Sequence, residues 1–111
     1  MADHGEWTRK GATLSDVTAK AEYGVTEEFI IQGIRDGRLE YRDGAIWGNP
    51  YLRLLRSQLE AYIAAELGED YLRRATHEAE LRQVKREITE LNKKLKALQD
   101  RKKALEASLG G

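Results

Sequence analysis

The most regular hydrophobic pattern of the chain lies near its C-terminus, where aliphatic side chains recur at alternating spacings of three and four residues. The repeat comprises Leu81, Val84, Ile88, Leu91, Leu95, Leu98, Leu105 and Leu109, with Lys102 in the same series. This is the a and d pattern of a coiled coil over about four heptads. Because so narrow a stripe needs a second helix to cover it, the repeat predicts an oligomer, most simply a homodimer.

Two short helices are predicted near the N-terminus. Ser15 or Thr13 can cap the first helix, and Gly24 supplies its left-handed end. Thr26 is placed to cap the second helix, which Gly37 ends. Since only a Gly-Val-Thr turn separates the two, the pattern predicts a helix-turn-helix.

In the next segment apolar and polar residues alternate, as they do in β-strands. Residues 39–42 and 45–47 flank an Asp43-Gly44 pair, which favours a type I′ hairpin turn there. Residues 51–55 alternate again and predict a returning strand, so this part of the chain forms a β wing.

Two further helices complete the prediction. Ser57 is expected to cap a third helix, and Gly68 breaks it. One face of the third helix carries Leu59, Tyr62, Ile63 and Leu67. A long final helix is expected to start at Asp70 and to reach about Leu109.

These elements predict a mainly helical α+β chain in three parts. Residues 1–12 are polar and aperiodic and form a flexible arm with Trp7 as a possible anchor. Residues 13–68 form a small winged helix-turn-helix head, and residues 69–111 form a coiled-coil oligomerisation helix.

The head contains a series of short motifs, namely Gly24-Val25-Thr26, Ile30, Ile34, Asp36-Gly37-Arg38-Leu39 and residues 56–63. In these residues the head resembles the winged helix-turn-helix domains of the MerR and excisionase-like families. In the MerR family a long helix after the head makes the dimer. The layout of a head and a coiled coil is also similar to that of some phage small terminase subunits.

The resemblance implies a dimeric protein that binds double-stranded DNA, either a transcriptional regulator or an excisionase-like or phage-type factor. Residues 26–36 would then be the recognition helix, with Glu27, Glu28, Ile31, Gln32 and Arg35 facing a major groove. Within it, Gln32 and Arg35 are the expected base contacts. The expected phosphate contacts are Arg38, Arg42, Arg53 and Arg56.

Charge complicates this interpretation. Residues 1–70 hold 8 Lys+Arg against 13 Asp+Glu, whereas residues 71–111 hold 11 against 6. The second helix opens with two glutamates, which would repel phosphates unless they are offset. Phe29 and Ile31 also widen its apolar face beyond one stripe. The alternative hypothesis is therefore an adaptor that does not bind DNA and instead holds a protein partner through Phe29 and Ile31, with the coiled coil setting valency.

Other chemistry is excluded by composition. The chain has no cysteine, and neither His4 nor His77 has companions at ligand spacing, so we expect no metal site, no cofactor and no enzymatic activity. No apolar run approaches the ~20 residues of a membrane span, and the first residues lack the organisation of a secretory leader. These features predict a cytoplasmic protein without a membrane partner.

Charges beside the repeat allow either orientation of a dimer. A parallel pair would match Glu80 with Lys85 and Arg101 with Glu106, and an antiparallel pair would match Glu80 with Arg101 and Glu87 with Lys94. Each such surface pair contributes only a few tenths of a kcal/mol. The pairs leave the orientation open, and the resemblance to the MerR family favours the antiparallel one.

Overall fold

The computed structural model describes residues 4–110 and confirms the α+β class. After a 3-10 turn at His4–Trp7, the elements are β1 (Thr13–Ser15), α1 (Asp16–Tyr23), α2 (Glu27–Arg35), β2 (Tyr41–Ile46), β3 (Asn49–Leu55), α3 (Arg56–Leu67) and α4 (Glu69–Gly110). The strands form an antiparallel sheet in the order β1-β3-β2. The chain divides into two compact units, Met1–His77 and Glu78–Gly111, so the first turns of α4 belong with the head rather than with the rest of that helix.

Side-chain caps fix both short helices where the sequence places them. The Ser15 hydroxyl accepts from the Thr18 N–H at 3.0 Å, and the Thr26 hydroxyl accepts from the Phe29 N–H at 3.1 Å. Gly24 ends α1 with φ 68°, a left-handed conformation that favours glycine. Of the two candidate caps for α1, Ser15 is therefore the one used.

Thr13, the other candidate, lies in a strand that the sequence analysis missed. β1 is only three residues long and pairs with the end of β3, with Leu14 opposite Leu54. Ser15 both ends this strand and caps α1. A segment so short carries too little alternation to be recognised as a strand.

The predicted turn at Asp43-Gly44 is wrong. β2 continues through this pair, and the chain reverses at Trp47 and Gly48, whose φ angles are 55° and 80°. Gly44 lies opposite Tyr51 on β3, and a Cβ at Gly44 would collide with the Tyr51 ring. The glycine thus leaves room for the Tyr51 ring across the strands and does not form a turn, and residues 51–55 belong to a longer β3.

The predicted cap of the third helix is also wrong. α3 begins at Arg56, its N-cap position is Leu55, and no side chain caps it. The Ser57 hydroxyl instead donates to the Glu6 carboxylate, and the Arg56 N–H donates to the Ala12 carbonyl at 2.9 Å. The helix start is therefore held by the segment before β1, which the helix sequence itself does not reveal.

The core of the first unit is aliphatic and aromatic, and it joins the helices to one face of the sheet. The buried side chains are Leu14, Ala19, Tyr23, Val25, Ile30, Leu39, Leu54, Leu59, Tyr62, Ile63 and Ala75, with Phe29, Ile34 and Leu72 packed against them. Leu67, predicted on the apolar face of α3, is 44% exposed. Tyr71 of α4 donates to the Tyr23 carbonyl at 2.6 Å, which ties the start of α4 to the end of α1.

Residues 4–12 are folded onto the head. Trp7 is only 6% exposed, as expected for an anchor, although the rest of the segment was predicted to be a flexible arm. Residues 1–3 of that arm lie outside the described part of the chain. The segment thus contributes a buried aromatic group to the head.

The second unit consists of α4 beyond His77. Every described side chain from Glu80 to Gly110 is exposed, including the aliphatic repeat, of which Leu91 is 62% and Leu98 65% exposed. The long helix confirms the predicted helical segment. Its apolar stripe has no cover within the described chain.

Candidate nucleic-acid interface

Two of the predicted phosphate contacts stand directly opposite each other in the hairpin formed by β2 and β3. Arg42 and Arg53 are paired in the ladder and therefore share one face of the sheet. The Trp7 ring lies against both, with the guanidinium carbons of Arg42 and Arg53 at 4.5 and 5.9 Å from its centroid. Arg53 also donates to the Trp7 carbonyl at 3.2 Å. We call Arg42 and Arg53 the arginine pair.

The two other predicted phosphate contacts are engaged within the head. Arg38 lies 3.2 Å from Glu66 and over the Tyr62 ring, 5.0 Å from its centroid. Arg56 lies 2.6 Å from Glu22 and donates to the Tyr23 hydroxyl at 2.7 Å. In both side chains one guanidinium nitrogen is already paired with a carboxylate.

A small polar network surrounds Arg56. Tyr23 donates to Glu60 at 2.8 Å while it accepts from Arg56. Burial, and then the hydrogen bond to Glu60, raises the pKa of Tyr23 above its ordinary value. The hydrogen bond to Glu22 likewise raises the pKa of Arg56. The network keeps α1 and α3 together, which is a structural role.

The outer face of α2 is polar. The charge of one of the two glutamates in its first turn is balanced by a lysine. Lys20 of α1 lies 2.7 Å from Glu27, and this hydrogen bond raises the pKa of Lys20. Gln32 and Arg35, the predicted base contacts, are both exposed. The Gln32 side-chain amide donates one hydrogen bond to Asp36 at 2.8 Å, which leaves its carbonyl oxygen and its second N–H for a base contact.

The two apolar residues assigned to the adaptor hypothesis, Phe29 and Ile31, are half-buried. The Phe29 ring packs on Tyr62, with the ring centroids 4.6 Å apart. The most exposed large apolar side chains of the first unit lie elsewhere, namely Trp47 at 96% and Val17 at 63%.

Sequence reasoning missed two aromatic contributions to this surface. Trp7 was predicted only as a possible anchor without a known partner, and the structure shows that its ring contacts two arginines. Trp47 was expected inside a strand and forms the tip of the hairpin instead. Its position next to Gly48 was the available signal, because glycine accepts the positive φ that a tight hairpin turn requires.

The described residues show neither a metal centre nor a membrane span. Across residues 4–110, no group of three or more His, Asp or Glu side chains is arranged to hold a metal ion. The helices in this range include none with the length and apolarity needed to cross a membrane. Comparison with family models, with curated proteins and with solved structures gave no match.

Proposed function

We propose that this chain is a dimeric, non-enzymatic protein that binds double-stranded DNA through a winged helix-turn-helix head, in which α2 enters the major groove and the β2–β3 hairpin is the wing. The observation that carries the proposal is the arginine pair. It places two cations side by side on the hairpin of a head that otherwise has an excess of carboxylates.

The arginine pair is held by contacts within the head. Like charges directly opposite each other in an antiparallel ladder are destabilising, and the π face of Trp7 offsets this repulsion. Stacking engages the flat face of a guanidinium, whereas the N–H groups at its edge bond anionic oxygens. Two neighbouring guanidiniums held in this way suit the phosphates of one DNA strand.

The surroundings of α2 support the same proposal. Because Lys20 offsets Glu27, the helix meets a phosphate backbone with less repulsion than its sequence indicates. Gln32 and Arg35 remain exposed on it, and both residue types read purine edges in a major groove. We assign base contact to these two residues and phosphate contact first to Arg42 and Arg53.

The aliphatic stripe of α4 supplies the dimer in this proposal. The stripe is covered by a second copy of the same chain, because the charged residues beside the repeat can be matched between two copies in either orientation. Pairing two heads doubles the number of phosphate contacts for each duplex. Because the head resembles those of transcriptional regulators and of excisionase-like or phage-type factors, we expect the chain to act as a protein of one of these kinds.

A mobility-shift titration against a pool of duplexes tests the proposal. We expect retardation that weakens steeply with salt, since each neutralised phosphate adds about 0.9 to the slope of log K against log salt. Arg42→Gln and Arg53→Gln keep much of the length of the side chain and remove its charge. Each should lower the slope by about 1 for every phosphate that the variant no longer neutralises.

Arg86→Gln is the matched control, because Arg86 lies on the exposed surface of α4. It should leave both affinity and slope unchanged if the head makes the contacts. Equal losses of affinity for Arg86→Gln would mean that DNA meets the basic helix surface, against the proposal. The absence of retardation for any duplex at low salt would reject DNA binding and favour the adaptor hypothesis.

A further inference from the structure

The tip of the β2–β3 hairpin is exposed and uncharged. Trp47 is 96% exposed and Ile46 56% exposed, and residues 44–52 contain no charged side chain. Scattered apolar side chains on a protein surface need no explanation. A tryptophan at the outermost point of a hairpin, with an apolar neighbour, is different because it offers a large aromatic surface to a partner.

The backbone conformation at this tip is unfavourable for a tryptophan. Trp47 has φ 55° and is the non-glycine residue with positive φ among those described. Tight hairpin turns of this kind prefer Asn, Asp or Gly, and a bulky residue with positive φ is strained. Since Trp47 packs into no core, neither stability nor turn geometry accounts for a tryptophan here.

We propose that Trp47 is the element of the hairpin that contacts bases, stacking against or wedging into a base step of the bound duplex. This inference rests on the proposed DNA binding and extends the role of the hairpin from phosphates to bases. Apolar side chains inserted at base steps unstack them in part and bend the duplex. Alanine substitution of an aromatic side chain that stacks on a base typically weakens binding by about 5- to 150-fold.

The charge of the hairpin favours DNA over an apolar protein partner. Residues 41–55 hold two arginines and one aspartate, whereas the head as a whole has excess acid. The apolar tip would contact the apolar faces of bases, and the arginine pair behind it would contact the phosphates around them. The arginine pair lies four ladder positions from the tip, which is about 13 Å at ~3.3 Å per residue. This length is enough to reach base edges in a groove about 7.5 Å deep.

The decisive variant is Trp47→Asn, because asparagine accepts positive φ and should not weaken the fold. Binding and end-to-end fluorescence transfer are measured on a duplex with a dye at each end, together with thermal melting of the protein. We expect an affinity loss of about ten-fold or more, loss of the protein-induced bend, an unchanged salt slope and an unchanged or higher melting temperature. Trp47→Phe should retain most of the affinity.

Val17→Ala is the matched control, since Val17 is 63% exposed on the same unit and should not affect binding. If Trp47→Asn binds with wild-type affinity and bend, the inference is wrong while the proposed DNA binding stands. A wild-type protein that binds no duplex overturns both. If Trp47→Asn lowers the sedimentation coefficient of the free protein, a second copy covers the tip and the inference is overturned.

Discussion

At the level of single residues, several side chains contact residues of elements that are distant in the sequence. Arg56 was assigned to phosphate from the sequence, yet it lies between Glu22 and Tyr23. Gly33 lies inside α2, where glycine is unfavourable, because a Cβ there would come within 2.7 Å of both Leu39 and Tyr62. Neither role can be deduced from local spacing, since the partners come from other elements of the chain. The helix caps Ser15 and Thr26 could be predicted because a cap and its partner are three residues apart.

The raised pKa of Tyr23 predicts how stability depends on pH. A group whose pKa is higher in the folded state stabilises that state below its ordinary pKa, here 10.0, and this contribution is lost as pH rises above that value. We expect the free energy of unfolding in urea to be level from about pH 7 to 9 and to fall in more alkaline solution. Tyr23→Phe should cost about 1–2 kcal/mol at pH 7 and should make the alkaline fall shallower.

Tyr41→Phe is the control for this experiment, because Tyr41 is 50% exposed. It should change stability little and keep the alkaline fall of the wild type. A Tyr23→Phe variant that loses stability above pH 10 as steeply as the wild type would contradict the assignment of that fall to Tyr23.

At the scale of elements, the sequence predicted where helices lie better than how strands pair. α1, α2 and α4 were predicted from periodicity and caps, which are local. The predicted hairpin register was wrong because Asp43-Gly44 is the stronger local turn signal, whereas the chain turns at Trp47-Gly48 and β3 pairs along the whole of β2. The error also hid the arginine pair, since only the observed register sets Arg42 opposite Arg53.

The aliphatic stripe of α4 leads to a prediction about the oligomeric state. Leu91→Asp puts a carboxylate in the middle of the proposed seam, where it would be buried without a partner. We expect this variant to shift the chain from dimer to monomer at micromolar concentration, as measured by light scattering. Ala97→Asp, on the outer face of the same helix by the heptad assignment, should remain dimeric. A wild-type chain that is already monomeric at this concentration would refute the dimer.

At the level of the whole molecule, the orientation of the two helices in the proposed dimer would decide how two heads are spaced. In a parallel dimer the two copies of Lys102 would meet at the same level of the seam, whereas antiparallel helices separate them. This difference favours the antiparallel arrangement of the proposed dimer. The sequence predicts that the stripe needs a partner but leaves the orientation open, because its flanking charges can be matched both ways.

Single cysteines test the orientation cleanly, because the chain has none of its own. In the antiparallel register that pairs Glu80 with Arg101, Leu81 of one copy faces Leu98 of the other. We expect Leu81→Cys alone to form little disulfide dimer, and a refolded mixture of Leu81→Cys and Leu98→Cys to form a heterodimer linked between the two positions. Efficient linking of Leu81→Cys to itself would show parallel helices.

We have proposed that two copies of this chain bind one DNA duplex through their heads. Sedimentation velocity of the full chain with a labelled duplex pool, at about 50 mM salt, where phosphate contacts are strong, tests it most directly. We predict that the free protein sediments as a dimer and that the mixture contains a species with two chains for each duplex. A monomer, or a dimer that leaves the duplex sedimenting alone, would contradict the claim.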